Sequence, residues 1–197
     1  IEEFLGRTRA FIKVQDGCNR RCAYCVIPDI RGAFRSVPME DVIAEAESLA
    51  ACGTRELLVV AQDITRYGID LYGRRRLADL LRELCRIEGI EWIRLHYAYP
   101  AAFPEDVIEV MATEPKICKY LDIPFQHISD NMLAAMKRRH TKAEAMELIK
   151  RLRTRIPDIA LRTTLMVGYP GETEADVDEL EAFVREVHFE RLGVFTY

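Results

Sequence analysis

Three of the six cysteines in this sequence lie within eight residues, in the stretch DGCNRRCAYC at positions 16–25. Cys18, Cys22 and Cys25 follow one another at spacings of four and three residues, and no fourth cysteine lies close by. Thiolates so close together are ligands that proteins use for zinc ions and for iron–sulfur clusters. Three thiolates leave one metal position without a protein ligand, and an open position is typical of a catalytic metal site.

Zinc is the alternative metal, and the sequence leaves it open. A structural zinc ion usually has four ligands in two pairs, so the fold would have to bring His127 or His140 to the loop. A zinc-stabilised binding domain without enzymatic activity is the function that this alternative predicts. Cys52, Cys85 and Cys118 are far apart in the sequence, and we expect each of them to be a small buried residue.

Arginines surround the cysteine loop in the sequence. Arg20 and Arg21 lie between the first two cysteines, and Arg31 and Arg35 follow the third. Nearby cations lower the pKa of a thiol and favour the thiolate that binds a metal. We therefore expect these arginines to favour ionisation of the three thiols.

The composition is typical of one globular domain. The chain has 197 residues, of which 49% are hydrophobic and 30% are charged, with a net charge of −4. This charge gives no general attraction to nucleic acids or to anionic membranes, and no apolar run has the length of a membrane span. The size and the uneven cysteine spacing do not fit a secreted disulfide framework, so we expect a reducing cytoplasm. The missing initiator Met and the apolar end LGVFTY suggest a piece of a longer protein.

Short apolar runs with high β-propensity alternate with patterns of helical spacing along the whole chain. The predicted strands are residues 11–15, 56–62, 92–97, 120–124, 160–167 and 192–197. The predicted helices follow Pro38, span 77–87, follow Pro104, span 129–139 and 141–155, and follow Thr173. We expect both prolines to occupy first helical positions and Thr173 to cap its helix.

This alternation predicts an α/β fold made of parallel βαβ units. Right-handed crossovers then allow an open doubly wound sheet or a barrel, whole or partial. In either fold the functional residues gather at the carboxyl ends of the strands, and the cysteine loop directly follows the first of them.

The pattern Cys-x₃-Cys-x₂-Cys, with Tyr24 before the last cysteine and a strand before the first, resembles the radical S-adenosylmethionine (SAM) enzymes. The resemblance implies a partial TIM-like (β/α)₆ barrel. It also implies a 4Fe-4S cluster on Cys18, Cys22 and Cys25, whose open iron binds SAM. In this family SAM is cleaved reductively to a 5′-deoxyadenosyl radical, which abstracts a hydrogen atom from the substrate.

The resemblance also implies which residues contact SAM. Many family members have Gly-Gly-Glu after the second strand, whereas this chain has Ala61-Gln62-Asp63. Either Gln62 and Asp63 substitute at the amino group of SAM, or the cluster alone holds that group. Gln126 is expected at the ribose and Arg138 at the carboxylate. The expected cofactor-binding set is Tyr24, Gln62, Gln126, Arg138, Thr164 and Gly168.

Within the family, QDGCNRRCAYCVIP, LRTTLMVGYPGET and PFQHISDNMLAAMKR resemble methylthiotransferases. AQDITRYGIDLYG, HYAYP and FQH resemble the RimO-type branch, which modifies an aspartate of a small-subunit ribosomal protein, S-twelve. The other branch modifies isopentenyladenosine in tRNA, which the net charge of −4 disfavours.

The resemblance finally implies what surrounds this domain. Residues 1–197 would be a radical SAM core, without the N-terminal domain that carries a second 4Fe-4S cluster and without the C-terminal TRAM domain. The implied partners are a ribosomal protein substrate and an electron donor such as flavodoxin or ferredoxin. No membrane partner is implied.

Overall fold

The computed structural model describes residues 8–197. Its strands, in chain order, are β1 (Arg9–Lys13), β2 (Gln15–Asp16), β3 (Arg35–Ser36), β4 (Glu56–Val60), β5 (Trp92–Leu95), β6 (Ile117–Asp122), β7 (Ala160–Val167) and β8 (Arg191–Thr196). Its helices are α1 (Ile27–Arg31), α2 (Met39–Ala51), α3 (Ile69–Tyr72), α4 (Leu77–Arg86), α5 (Glu105–Thr113), α6 (Asp130–Ala135), α7 (Lys142–Arg155) and α8 (Glu174–Val187). A 3₁₀ turn at Ile64–Arg66 follows β4.

Six strands form one parallel sheet whose spatial order, β1-β4-β5-β6-β7-β8, is also their order along the chain. Successive right-handed crossovers that always advance in the same direction place every connecting helix on the same face of the sheet. Within the described residues β1 and β8 each pair on one side only, so the barrel is open. The strands β2 and β3 form a separate antiparallel ladder.

The core lies between the sheet and the helix layer. Alternate residues of β7 are buried, namely Leu161, Thr163 and Leu165, while their neighbours on the concave face are half-buried. The first four residues of β4 are all buried, and the apolar run at residues 57–60 predicts this for an inner parallel strand, whereas the burial of the charged Glu56 does not follow from that pattern. The apolar faces of the helices cover the convex side, and α2, α4, α5 and α7 pack against one another in that order.

The helix starts agree with the predicted cap at Thr173, but the prediction for the two prolines is wrong. Thr141 and Thr173 each form a capping box, with Glu144 and Asp176 respectively, as predicted for Thr173. Pro38 and Pro104 do not occupy first helical positions. Both are N-cap residues with extended ψ angles near 140° and 127°, so each helix begins one residue later.

Two predicted strands are shifted. The first strand runs from Arg9 to Lys13 instead of 11–15, because Gln15 and Asp16 leave the main sheet to pair with β3. The fourth runs from Ile117 to Asp122 instead of 120–124.

The expectation that three isolated cysteines are buried holds only for Cys85. Cys52 is exposed because it caps the end of α2, and Cys118 is half-buried because it lies on the concave face of β6. In the part of the chain that the structure describes, every helix is too short or too polar to cross a membrane.

Candidate active site

The cysteine loop is pinned at both ends. It leaves the sheet through β2 and returns through β3, with Gln15 opposite Ser36 and Asp16 opposite Arg35. The Cys18 N–H donates to the Gly32 carbonyl at 3.1 Å, which closes the loop from inside. The loop is therefore held beside the carboxyl ends of the sheet strands.

A cavity of about 390 Å³ lies at these strand ends. Seven of the nine predicted site residues line it: Cys18, Cys22, Tyr24, Cys25, Gln62, Gln126 and Arg138. The structure thus brings together loops that follow β1, β4 and β6, as the parallel fold predicts.

The other two predicted residues lie outside this lining. The Thr164 carbonyl accepts from the Gln126 N–H at 2.9 Å, so this residue touches the site through its backbone. Gly168 follows β7 in a left-handed conformation, with φ of 80°. Neither residue lines the cavity, and their contact with SAM stays a prediction.

Sequence reasoning missed several lining residues, chiefly Ile27, Tyr97, Tyr99 and Pro124, and it expected Arg20 to act on the thiols without placing it in the cavity lining. A signal for the two tyrosines was available, because HYAYP directly follows β5. Functional residues gather at the carboxyl ends of parallel strands. Ile27 gave no such signal, because it begins a five-residue helix inside the cysteine loop.

Arg138 reaches the cysteine loop from the far side of the cavity. This side chain belongs to a residue that is only 8% exposed. Its Nη1 lies 3.7 Å from Cys22 Sγ and 3.3 Å from the Tyr24 hydroxyl, and its Nη2 donates to the Pro124 carbonyl at 2.5 Å. The Nε atom is buried and has no hydrogen-bond partner among the described residues. A buried cation therefore lies against the thiol of Cys22, with one donor unused.

A second guanidinium, that of Arg20, lines the same cavity as Cys18. Arg20 pairs with Asp63 at 2.7 Å, and both side chains are nearly buried. The Tyr99 ring lies beside both cations, 3.9 Å from the Arg20 guanidinium carbon and 4.3 Å from that of Arg138. Such cation–π contacts strengthen when they are shielded from water, so Tyr99 helps to hold both charges near the cysteines.

The pKa of the Cys18 thiol is raised, because burial disfavours the thiolate and the negative charge of Asp63 adds to the effect. The four arginines of the loop region were expected to act in the other direction. Arg21, Arg31 and Arg35 are exposed, and Arg20 is neutralised by Asp63. Burial, which a sequence does not display, thus outweighs their charge at this thiol.

The pKa of the Tyr24 hydroxyl is raised, because burial disfavours the phenolate more than Arg138 stabilises it. Tyr24 therefore stays a neutral donor and acceptor beside Cys22. Gln62 offers another polar group, because its Oε1 is buried and accepts no hydrogen bond among the described residues.

The family model for the radical SAM superfamily matches residues 12–184, which include the cysteine loop and every lining residue of the cavity. The chain belongs to the radical SAM superfamily. Radical SAM proteins use a 4Fe-4S cluster together with SAM, and the prediction of this family is confirmed.

Curated relatives are similar to nearly the whole chain. It is 58% identical to the ribosomal protein uS12 methylthiotransferase RimO of Porphyromonas gingivalis, over 97% of this chain and 44% of the relative. It is 55% identical to the protein of the same name from Christiangramia forsetii, over 95% of this chain and 42% of the relative. This radical SAM chain thus spans less than half the length of the curated relatives it matches.

Solved structures confirm the fold. The radical SAM methyltransferase TsrM of Kitasatospora setae, bound to tryptophan and a SAM analogue, superposes with a TM-score of 0.79 at 22% identity, over 98% of this chain and 36% of TsrM. SuiB of Streptococcus suis, bound to SAM, superposes with a TM-score of 0.69 at 15% identity, over 96% of this chain and 40% of SuiB. The predicted α/β fold with a partial barrel is therefore confirmed.

The cavity fits the cofactors of the family by its donors and acceptors. Three thiols face it, which suits a cluster that leaves one iron for SAM. No group of three or more His, Cys, Asp and Glu side chains in residues 8–197 surrounds a single ion position. Cluster ligands need no such common point, because each thiolate binds a different iron. The unused Gln62 acceptor and Arg138 donor match the amino and carboxylate groups of SAM.

Proposed function

We propose that this chain is the SAM-cleaving core of a methylthiotransferase that modifies an aspartate of ribosomal protein uS12. The observation that carries the proposal is the cavity with three thiols, in a chain 58% identical to a curated relative of that name. High identity over 97% of the chain supports a shared reaction more strongly than a shared fold does.

The proposed cluster ligands are Cys18, Cys22 and Cys25. When bound, the cluster supplies the electron that cleaves SAM reductively to a 5′-deoxyadenosyl radical. The proposed reaction class is β-methylthiolation, in which a C–H bond at the aspartate β-carbon is replaced by a carbon–sulfur bond.

The polar residues of the cavity bind and orient SAM in this proposal. Gln62 accepts from the amino group through its unused Oε1, and Arg138 donates to the carboxylate through its unused Nε. Gln126 lies at the ribose, and Tyr24 stays neutral and fixes Arg138 by its hydroxyl, 3.3 Å from Nη1. We retain Thr164 and Gly168 only as backbone contacts near the adenosine.

Burial of the cavity also keeps water away from SAM in this proposal. Arg138 and Tyr99 close the cavity on one side, and the apolar side chain of Ile27 borders it on the loop side. Excluding water strengthens each ionic contact with SAM and protects a reactive radical from side reactions.

We further propose that residues 1–197 form one radical SAM core within a longer enzyme. A second 4Fe-4S cluster and a TRAM domain then belong to other parts of that enzyme. Without the second cluster, this chain alone should cleave SAM without methylthiolating a substrate. A cytoplasmic location and a flavodoxin or ferredoxin as electron donor complete the proposal.

The test is anaerobic reconstitution of this chain with iron and sulfide, followed by reduction in the presence of SAM. We expect about four irons per chain and formation of 5′-deoxyadenosine. Cys22→Ala should reduce 5′-deoxyadenosine to background. Cys52→Ala is the matched control, because Cys52 is exposed and does not line the cavity. Intact SAM cleavage in the Cys22 variant would contradict the ligand assignment, and zinc in place of iron would favour a non-enzymatic binding domain.

The substrate needs a separate assay with the full-length enzyme. Mass spectrometry of uS12 should show a methylthio group on aspartate, whereas isopentenyladenosine in tRNA should stay unmodified. Modification of tRNA alone would overturn the proposed substrate and leave the proposed SAM chemistry intact.

A further inference from the structure

The concave face of the sheet holds a second cavity, at the end opposite to the cysteine loop. It has a volume of about 590 Å³. Three of its lining residues, Arg9, Ala160 and Arg191, are the first residues of β1, β7 and β8. The cavity therefore opens at the amino ends of these strands and extends along the concave face as far as His96, which follows β5. It shares no lining residue with the proposed SAM site.

The lining of this cavity is cationic, although the chain as a whole carries a net charge of −4. Arg9, Arg94, Lys119 and Arg191 line it, and no Asp or Glu does so among the described residues. Lys119 is already occupied, because its Nζ donates to the carbonyls of Met111 and Glu114. Lys119 keeps its positive charge, but the three guanidinium groups are the cations with donors left for a ligand.

Two of these guanidinium groups are held by one buried carboxylate. Glu56 is 4% exposed and accepts from Arg9 Nε at 2.7 Å and from Arg94 Nε at 2.8 Å, one on each oxygen. Burial alone would raise the pKa of Glu56, but the hydrogen bonds from Arg94 and Arg9 lower it. Binding through Nε leaves the terminal nitrogens of both arginines for another acceptor.

The third guanidinium has a cationic neighbour and no carboxylate. Arg191 lies directly beside Arg162 in the β7–β8 register. Arg162 pairs with Asp122 at 2.8 Å, whereas Arg191 forms no ion pair within residues 8–197. Like charges on adjacent strands destabilise a sheet, so a bound anion would offset this cost.

Aromatic rings border the same cavity. The Arg94 guanidinium carbon lies 5.0 Å from the centre of the Tyr120 ring, which restrains its orientation. Phe11 lines the cavity and is 53% exposed, which is high for a large apolar side chain. An exposed ring beside a group of arginines can stack on a nucleobase.

We propose that this cavity binds a phosphate group, with Arg9, Arg94 and Arg191 as the binding residues. Bidentate contacts from guanidinium groups suit phosphate oxygens. Three guanidinium groups also carry more positive charge than a ligand with one carboxylate would need. The exposed Phe11 favours the phosphate of a nucleotide over free phosphate. This site is separate from the proposed SAM chemistry and does not depend on it.

The test is calorimetric titration of the 197-residue chain, without iron, with inorganic pyrophosphate. Arg191→Gln should weaken binding at least about tenfold, because one charge-assisted bidentate contact is lost. Arg191→Lys should weaken binding less, because it keeps the charge and loses the planar fork. Arg185→Gln is the matched control, since Arg185 is 76% exposed, pairs with Glu181 on α8 and should change affinity less than twofold.

Further titrations identify the source of the phosphate. ADP and a short single-stranded RNA of uridines present the same group, and tighter binding of either than of pyrophosphate supports a nucleotide ligand. Equal binding of pyrophosphate by the Arg191→Gln variant and the parent would overturn the proposal. Equal or tighter binding of malonate would also overturn it, because a dicarboxylate would then suffice. Circular dichroism checks that each variant is folded.

Discussion

Glu172 accepts from two donors that lie beside different strand ends. Its Oε1 lies 3.1 Å from His127 Nε2, and its Oε2 accepts from the Gly168 N–H at 2.6 Å. The Ser129 N–H donates to His127 Nδ1 at 3.0 Å, so Nε2 carries the proton and donates to Glu172. The pKa of His127 is lowered because burial disfavours its charged form, which keeps this tautomer neutral. Glu172 therefore ties the residue after Gln126 to the turn after β7.

Glu172→Gln should weaken this connection, because an amide has one acceptor oxygen where the site presents two donors. If the amide oxygen stays with His127, the exposed Gly168 N–H loses its charged acceptor and turns to water, which costs about 0.5–1.5 kcal/mol. We expect the free energy of unfolding in urea to fall by that amount and SAM affinity to fall with it. Glu147→Gln, on the exposed face of α7, is the control and should change stability by less than about 0.5 kcal/mol. An equal free energy of unfolding in the two variants would show that the Glu172 contacts do not stabilise the fold.

At the scale of elements, the cysteine loop depends on a close backbone approach. Gly17 precedes Cys18 with φ of 76°, and a Cβ atom there would collide with the carbonyl oxygen of Ala33. Gly32 has a similar φ of 73°, yet a Cβ atom there would meet nothing within 4 Å. The two glycines thus share a positive φ and differ in the space around them.

Gly17→Ala should therefore perturb the loop much more than Gly32→Ala. Both substitutions place an alanine at a positive φ, which costs about 1–3 kcal/mol, but only the first also forces the strands β2 and β3 apart. We expect iron incorporation during reconstitution to fall severalfold in Gly17→Ala and to stay near the parent value in Gly32→Ala. Iron analysis per chain measures the difference, and equal iron content in both variants would contradict this account of the loop.

The regular elements could be predicted because their apolar periodicity is local. The short ones could not, because tertiary contacts stabilise them. The helix α3 carries Asp70, which accepts from Ser36, and Tyr72, whose hydroxyl accepts from the Met39 N–H. In the site, cysteine spacing identified the loop, but the contacts of Tyr99 with two arginines come from three different loops and required the fold.

At the scale of the whole molecule, His140 links stability to pH. It is 5% exposed, and neither ring nitrogen has a hydrogen-bond partner among the described residues. Burial and the nearby charge of Arg138 lower the pKa of His140 to about 3. The unfolded chain takes up a proton near the ordinary histidine value, whereas the folded chain does not. Folding therefore becomes less favourable as the pH falls below about 6.5.

The expected slope is up to about 1.4 kcal/mol of unfolding free energy per pH unit from this residue, between pH 6.5 and 4.5. His140→Leu should reduce the slope by that amount, while His127, whose pKa is also lowered, continues to contribute. His188→Asn is the control, because His188 is exposed at the end of α8 and asparagine tolerates its left-handed backbone. Urea unfolding at several pH values measures the slopes, and an unchanged slope in His140→Leu would contradict the assignment.

The contact between Cys22 and Arg138 spans 116 residues of chain. During synthesis from the amino terminus, all three cysteines emerge long before Arg138, Pro124 and Gln126, which close the far side of their cavity. Iron and sulfide delivered to the nascent loop would meet solvent and oxygen on that side. Cluster insertion should thus be most productive after residue 138 has folded into place, so the metal is best loaded only when this part of the chain is complete.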